Sequence, residues 1–265
     1  MQEETAVLVM SDLHFGKSTS TYNPDVFRQR MGDLQARMAH IRDLLSDYRF
    51  DKLVVVCLGD ANDGTDIYAT QPHHQAISDV EAQANQLAEF MAGWLRKARD
   101  TWGNVEVQAV PGNHGRTGHG AHEAANWDRV AYRYLSLMCP DIPVIFDGNS
   151  DPFLRKIDIR GHNYLLYHGH DVRTFSSIPW YGMMLRLARW SMSALAPIDV
   201  FLMGHFHSYG DWQINQSRIL ATGTMVSDDE WAFRTLGWEG ANRWHLFGVS
   251  DKRAITWQYG LDLCQ

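Results

Sequence analysis

Apolar residues are unevenly spaced along this 265-residue chain, and the spacing alternates between two periods. Thr5–Met10 and Leu53–Leu58 are short apolar runs rich in β-branched residues, and Val105–Val110 is a third; such runs predict buried strands. Between them, Phe27, Met31, Leu34, Met38, Ile41 and Leu45 recur every three or four residues, which predicts a helix from Asn23-Pro24 to about Ser46. Gln75–Arg99 and Ala121–Met138 read as two further helices. This strand–helix order predicts a parallel sheet for the first half of the chain. The second half predicts strands at Phe153–Ile159, Tyr164–Tyr167, Val200–Met203, Arg218–Ala221 and Trp244–Val249, with one helix at about Gly182–Leu195 ending before Pro197. The close spacing of these later strands suggests antiparallel pairing. No linker or repeat divides the chain, so a single domain over residues 1–265 is expected.

Polar clusters interrupt the apolar runs, and four of them stand where a predicted strand ends. They are Asp12-Leu13-His14, Gly59-Asp60, Gly112-Asn113-His114, His168-Gly169-His170 and Gly204-His205-Phe206-His207. Loops at strand carboxyl ends are where open α/β sheets bind ligands. The i, i+2 spacing of Asp12 with His14, and of His205 with His207, points both side chains the same way on an extended backbone. Each cluster alone is ordinary turn chemistry; their order is not. Carboxylate, amide and imidazole without thiolate suit Mn, Fe, Ni, Co or Zn, with Mn the foremost expectation.

The ordered series resembles the calcineurin-like metallophosphoesterase superfamily over Asp12 to His207. The resemblance implies an α/β fold, a four-layer α-β-β-α sandwich with helices flanking two sheets and the site at the sandwich edge. By motif position it implies two divalent metal ions. One would be held by Asp12, His14, Asp60 and His207, the other by Asp60, Asn113, His168 and His205, with Asp60 bridging. A paired centre of this kind clamps an in-line displacement at phosphorus and activates a bridging hydroxide as nucleophile. His114 is the expected proton donor to the leaving oxygen or stabiliser of phosphoryl charge. His170 either faces substrate or caps its loop.

Departures from the family pattern narrow the expectation. Gly115 follows His114 where many members carry an acid, which leaves the orientation of His114 to another group such as Asp63 or Asp171. Gly64 follows Asp63 where protein phosphatases of this superfamily carry arginine, and a monoester dianion is commonly clamped by arginine. The opening Asp12–Lys17 resembles nuclease-like branches, and Gly112–Asp128 resembles members often encoded by phages. A phosphodiesterase acting on nucleic acid or nucleotides is therefore expected. A phosphomonoesterase and a non-catalytic scaffold stand as alternatives. His73, His74, Arg116, His119, His122, Arg173, Trp180 and Tyr181 follow the motifs closely enough to ring the site and contact substrate. Trp180-Tyr181 equally fits core packing. Trp231, Trp238, Trp244 and Trp257 offer a partner surface, a stacking platform or simple packing of the last strands.

Composition adjusts this picture only slightly. A formal net charge of -7, without any long Lys/Arg run, disfavours extended gripping of a polyanion. No run reaches the ~20 apolar residues of a membrane span. The acidic N-terminus and three irregularly spaced cysteines point to the cytoplasm, that of a bacterium or of a phage host.

Overall fold

The computed structural model describes residues 2–68, 71–122, 124–147, 153–175, 179–229, 233 and 239–264. The elements follow in the order β1 (Gln2–Met10), α1 (Pro24–Leu44), β2 (Tyr48–Cys57), α2 (Val80–Trp102), β3 (Asn104–Ala109), α3 (Trp127–Met138), β4 (Val144–Ile145), β5 (Leu154–Ile159) and β6 (His162–Tyr167). They continue with α4 (Trp180–Trp190), β7 (Val200–Met203), β8 (Gly210–Ile214), β9 (Ser217–Ala221), β10 (Arg243–Val249) and β11 (Gln258–Asp262).

Two sheets stack face to face. The first runs β11-β10-β1-β2-β3-β4 and the second β5-β6-β7-β9-β8. The period-two alternation of β1 explains the layering. Ala6, Leu8 and Met10 face α1 and α2, where they meet Phe27, Met31 and Leu87, while Val7 and Val9 face the second sheet and meet Tyr164, Leu166 and Leu202. Leu165, Phe201 and Met203 cover the outer side of the second sheet beneath Met183 and Leu187 of α4. The result is an α-β-β-α sandwich.

The β1 to β4 strands are parallel, as the alternating order predicts. The second half departs from the antiparallel expectation. β6, β7 and β9 are parallel, and antiparallel pairing is confined in this sheet to the edge strands β5 and β8. The reason is the α4 crossover between β6 and β7, which is long enough to return the chain to the same sheet end. Helix starts also shift. α2 begins late because the Asp79 carboxylate caps it by accepting from Glu81 N and Ala82 N, and α3 begins late because Asn126 accepts from Asp128 N. α4 stops at Trp190, whose carbonyl accepts from the Ser193 hydroxyl at 2.7 Å. All three cysteines are free, and burial pushes the Cys57 thiol up to about 12. No helix among the described residues is long and apolar enough to cross a membrane.

Candidate metal centre

The carboxyl ends of strands from both sheets meet at one edge of the sandwich. β1, β2 and β3 deliver Asp12 and His14, Asp60, and Asn113 and His114; β6 and β7 deliver His168 and then His205 and His207. Asp60 Oδ2 lies 3.1 Å from His168 Nε2 and 4.0 Å from His14 Nε2. On one side of it, His207 Nε2 stands 3.3 Å from both Asp12 Oδ1 and His14 Nε2. On the other, Asn113 Oδ1 is 2.8 Å from His168 Nε2, and Asp60, His168 and His205 form a second group of converging donors. The structure thus gathers Asp12, His14 and His207 in one donor group and Asp60, His168 and His205 in another beside it.

The backbone that does this is not the extended chain the i, i+2 spacing implied. Asp12 (φ 54), His14 (φ 45), Asp60 (φ 48), His205 (φ 68) and His207 (φ 50) all occupy the left-handed region. That conformation costs a side-chain-bearing residue about 1–2 kcal/mol, and such strain concentrates where function demands a geometry. Close approach adds a second demand: a methyl group at Gly112 would overlap both the backbone nitrogen and the carboxylate of Asp60.

Neighbouring groups fix the direction of each donor. His168 Nδ1 donates to Leu58 O at 2.7 Å, which turns Nε2 toward Asp60. Asn113 Nδ2 donates to the Tyr68 hydroxyl at 2.8 Å, which turns Oδ1 inward. His14 Nδ1 faces Asp63 Oδ1 at 3.3 Å, leaving Nε2 for the centre. The same Asp63 oxygen is 3.7 Å from His114 Nδ1, so Asp63 stands beside His114. Asp171 lies elsewhere, paired with Arg186 at 2.7 Å.

Electrostatics divide the imidazoles of the centre. Burial alone would hold His168 neutral, yet Asp60 and Asp12 raise it to about 9. Burial likewise opposes ionisation of Asp12, but His207 and His168 bring it down to about 2. His205, buried beside His168, falls to about 3, and burial takes His114 down to about 4. Asp12 Oδ1 is buried, faces two imidazole nitrogens and closes no hydrogen bond. An unsatisfied buried carboxylate oxygen among imidazoles is the environment a divalent cation completes. The donor set therefore fits a pair of divalent ions.

Residues 5–224 match the family model described as calcineurin-like phosphoesterase. The chain belongs to that family. No curated protein matches the chain. Among solved structures, this calcineurin-like phosphoesterase is similar to a Vps29 single mutant from Entamoeba histolytica (16% identity, 93% of this chain and 87% of that one, TM-score 0.44). It is also similar to YfcE, a phosphoesterase from E. coli (14% identity, 96% and 98% covered, TM-score 0.41). A third is an archaeal phosphodiesterase (12% identity, 97% and 99% covered, TM-score 0.44).

A cleft of about 740 Å³ opens over the centre of the phosphoesterase. His14, Asp60, Asn113, His114, His205 and His207 line it, as do His73 and His74. Arg116, His119, His122, His170 and Arg173 do not. The Arg116 guanidinium turns back to Asn113 O at 2.9 Å, and His119, His122 and Arg173 are exposed away from the lining. His170 packs on Phe153 with ring centroids 4.6 Å apart. Trp180 and Tyr181 are exposed, which removes the core-packing reading, whereas Trp244 is wholly buried and Trp257 packs against the core. Trp231 and Trp238 lie outside the described residues.

Sequence reasoning passed over the residues that clasp the loops. Buried Asp128 accepts from Asn62 N (3.0 Å), Asn62 Nδ2 (3.2 Å) and Gly112 N (2.8 Å), tying the Asp60 loop to the Asn113 loop. Asn126 Nδ2 donates to Gly112 O at 2.7 Å. Gln71 joins the Asp63 carbonyl to His114. An acid in the first turn of a helix is so common that Asp128 carried no distinguishing signal.

Proposed function

We propose that this phosphoesterase is a dinuclear metal-dependent phosphodiesterase acting on nucleic acid or nucleotides, with Mn the foremost metal. The observation that carries the reading is the approach of Asp60 Oδ2 to His168 Nε2 (3.1 Å) and His14 Nε2 (4.0 Å), which belong to two neighbouring donor groups. Asp12, His14, Asp60 and His207 would hold one ion, and Asp60, Asn113, His168 and His205 the other. When bound, such a pair supplies Lewis-acid polarisation of the phosphoryl group and a water of lowered pKa as nucleophile.

The chain's own residues do the rest. His114 is neutral at pH 7, because burial holds it near 4. Its Nδ1 donates to the Asp63 carbonyl oxygen at 3.1 Å, so the ring's other nitrogen, Nε2, donates to charge developing on the phosphoryl or leaving oxygen only once the ring takes up a second proton. Preference for a diester is supported by the lining of the cleft. Among the described residues it includes Lys17 but no arginine, and Lys17 is paired with Asp229 at 2.6 Å. A dianionic monoester would lack the bidentate partner that usually holds it.

Initial rates on bis-p-nitrophenyl phosphate and p-nitrophenyl phosphate, with Mn2+ and then the other candidate metals, test this. The diester is expected to be preferred, and Asp60→Asn to abolish turnover while circular dichroism stays unchanged. A tenfold preference for the monoester would replace the diesterase reading with a phosphomonoesterase, and an Asp60→Asn variant at wild-type rate would remove the bridging role.

A further inference from the structure

Among the described residues, six of the eleven exposed large hydrophobic side chains fall between positions 175 and 192: Phe175, Trp180, Tyr181, Met184, Leu185 and Met192. Four of them lie on α4 and two flank it, a concentration unlike the scatter of single apolar residues normal for a surface. α4 spends Gly182, Met183 and Leu187 on the core, so the outward face is not a packing face. Its aromatic members, Trp180 and Tyr181, are the first two residues of the helix. Thr174 lines the cleft, Phe175 follows it, and the Phe175 and Tyr181 rings meet edge to face at 6.3 Å. Trp180 leans on Trp212 with centroids 5.2 Å apart, which holds its ring without burying it.

Charge distinguishes this segment from the rest of the chain. Segment 171–192 carries three arginines, Arg173, Arg186 and Arg189, against one aspartate, Asp171, in a chain of net charge -7. Arg173 and Arg189 are exposed. The cleft lining includes Asp228, Asp229 and Glu239, with Asp229 paired to Lys17. A polyanion is attracted to the exposed arginines of this segment more than to the acidic residues of the lining.

We propose that Phe175, Trp180 and Tyr181, with Arg173 and Arg189, form a stacking platform that leads single-stranded nucleic acid into the cleft. Exposed rings flanked by arginines, on a segment that reaches the cleft at Thr174, are the elements of sequence-tolerant single-strand binding. Duplex bases are stacked on each other and offer no free face to the rings. The inference rests on the phosphodiesterase reading for its direction toward the centre, but its binding test is independent.

The test uses the Mn2+-loaded protein and a fluorescent phosphorothioate oligothymidylate of about 20 nucleotides, longer than one such platform covers, alone and as a duplex. Anisotropy titrations are expected to show single strand bound at least ~10-fold more tightly than duplex. Trp180→Ala/Tyr181→Ala is expected to lose ~10-fold or more in single-strand affinity, and Trp180→Phe/Tyr181→Phe to restore most of it. Turnover of bis-p-nitrophenyl phosphate is expected to stay unchanged in both, which also shows that they fold. Equal affinity for duplex, or no loss in the alanine variant, would overturn the platform and leave the enzyme reading intact. Loss of binding to phosphatidylglycerol vesicles, or of self-association in sedimentation, without loss of oligonucleotide binding would likewise overturn it, assigning the face to lipid or to a second copy. Oligonucleotide binding that needs the rings, without any diester hydrolysis, would uphold the platform and sink the phosphodiesterase.

Discussion

Asp128 touches no donor that faces the centre, yet its replacement should damage the site. Its two carboxylate oxygens accept from three buried donors on two loops. In Asp128→Asn one oxygen still serves Asn62, but the new amide group confronts Gly112 N–H donor to donor. A buried donor left without an acceptor costs about 1–3 kcal/mol. For a chain of this size each kcal/mol lowers the melting temperature by about 2–4 °C, so a fall of about 2–12 °C is expected. Because Gly112 precedes Asn113 and packs against Asp60, Mn2+ affinity should fall as well, by about tenfold for a donor displaced at the cost of ~1.4 kcal/mol. Scanning calorimetry of metal-free and Mn2+-loaded protein reads both effects, since the stabilisation by ion shrinks when binding weakens. A variant melting within 1 °C of wild type in both states, ~0 kcal/mol on the same scale, would refute the clasp.

Two further outcomes follow from the same geometry. Gly112→Ala must displace the Asp60 backbone or carboxylate; overpacking of this kind costs about 1–3 kcal/mol or more. The variant should retain its sheets by circular dichroism and lose stoichiometric metal in elemental analysis, and full metal content would count against the close approach. The apparent affinity for metal should also climb with pH. His168 holds a proton up to about 9 in the metal-free protein and has to shed it to act as a ligand. Affinity should therefore rise roughly tenfold per pH unit below that value for each proton displaced, with proton release visible as buffer-dependent heat in calorimetry. The sign reverses for the metal-free fold. A histidine raised above its unfolded value of 6.5 contributes stability in full below that pH, and loses it as pH climbs through about 9. Affinity that stays flat from neutrality to that point would remove Asp60 as the cause of the raised value.

The donors of the centre were legible because each sits within three residues of another donor or of a glycine, directly after an apolar run. Their conformations were not. Nothing in Asp12-Leu13-His14 announces left-handed backbone at both ends, since loops from two sheets impose it. Parallel pairing of β6, β7 and β9 was hidden because strand spacing reports connection length rather than direction, and α4 was not weighed as a crossover. The β8–β9 hairpin did leave a trace: Asn215, at the turn between Ile214 and Ser217, has φ 54 and is a residue type suited to such a turn. Gln71 and Asp128 act through contacts between loops, which no local pattern encodes, whereas Asp63 was already a candidate to orient His114 and stands beside it.

Four of the seven donors hang from one layer and three from the other, and the two layers are otherwise joined chiefly by apolar side chains that can slide. Cations seated between them would act as rivets. The sandwich should then come apart as one piece when loaded, whereas the bare protein has the freedom to loosen one layer ahead of the other.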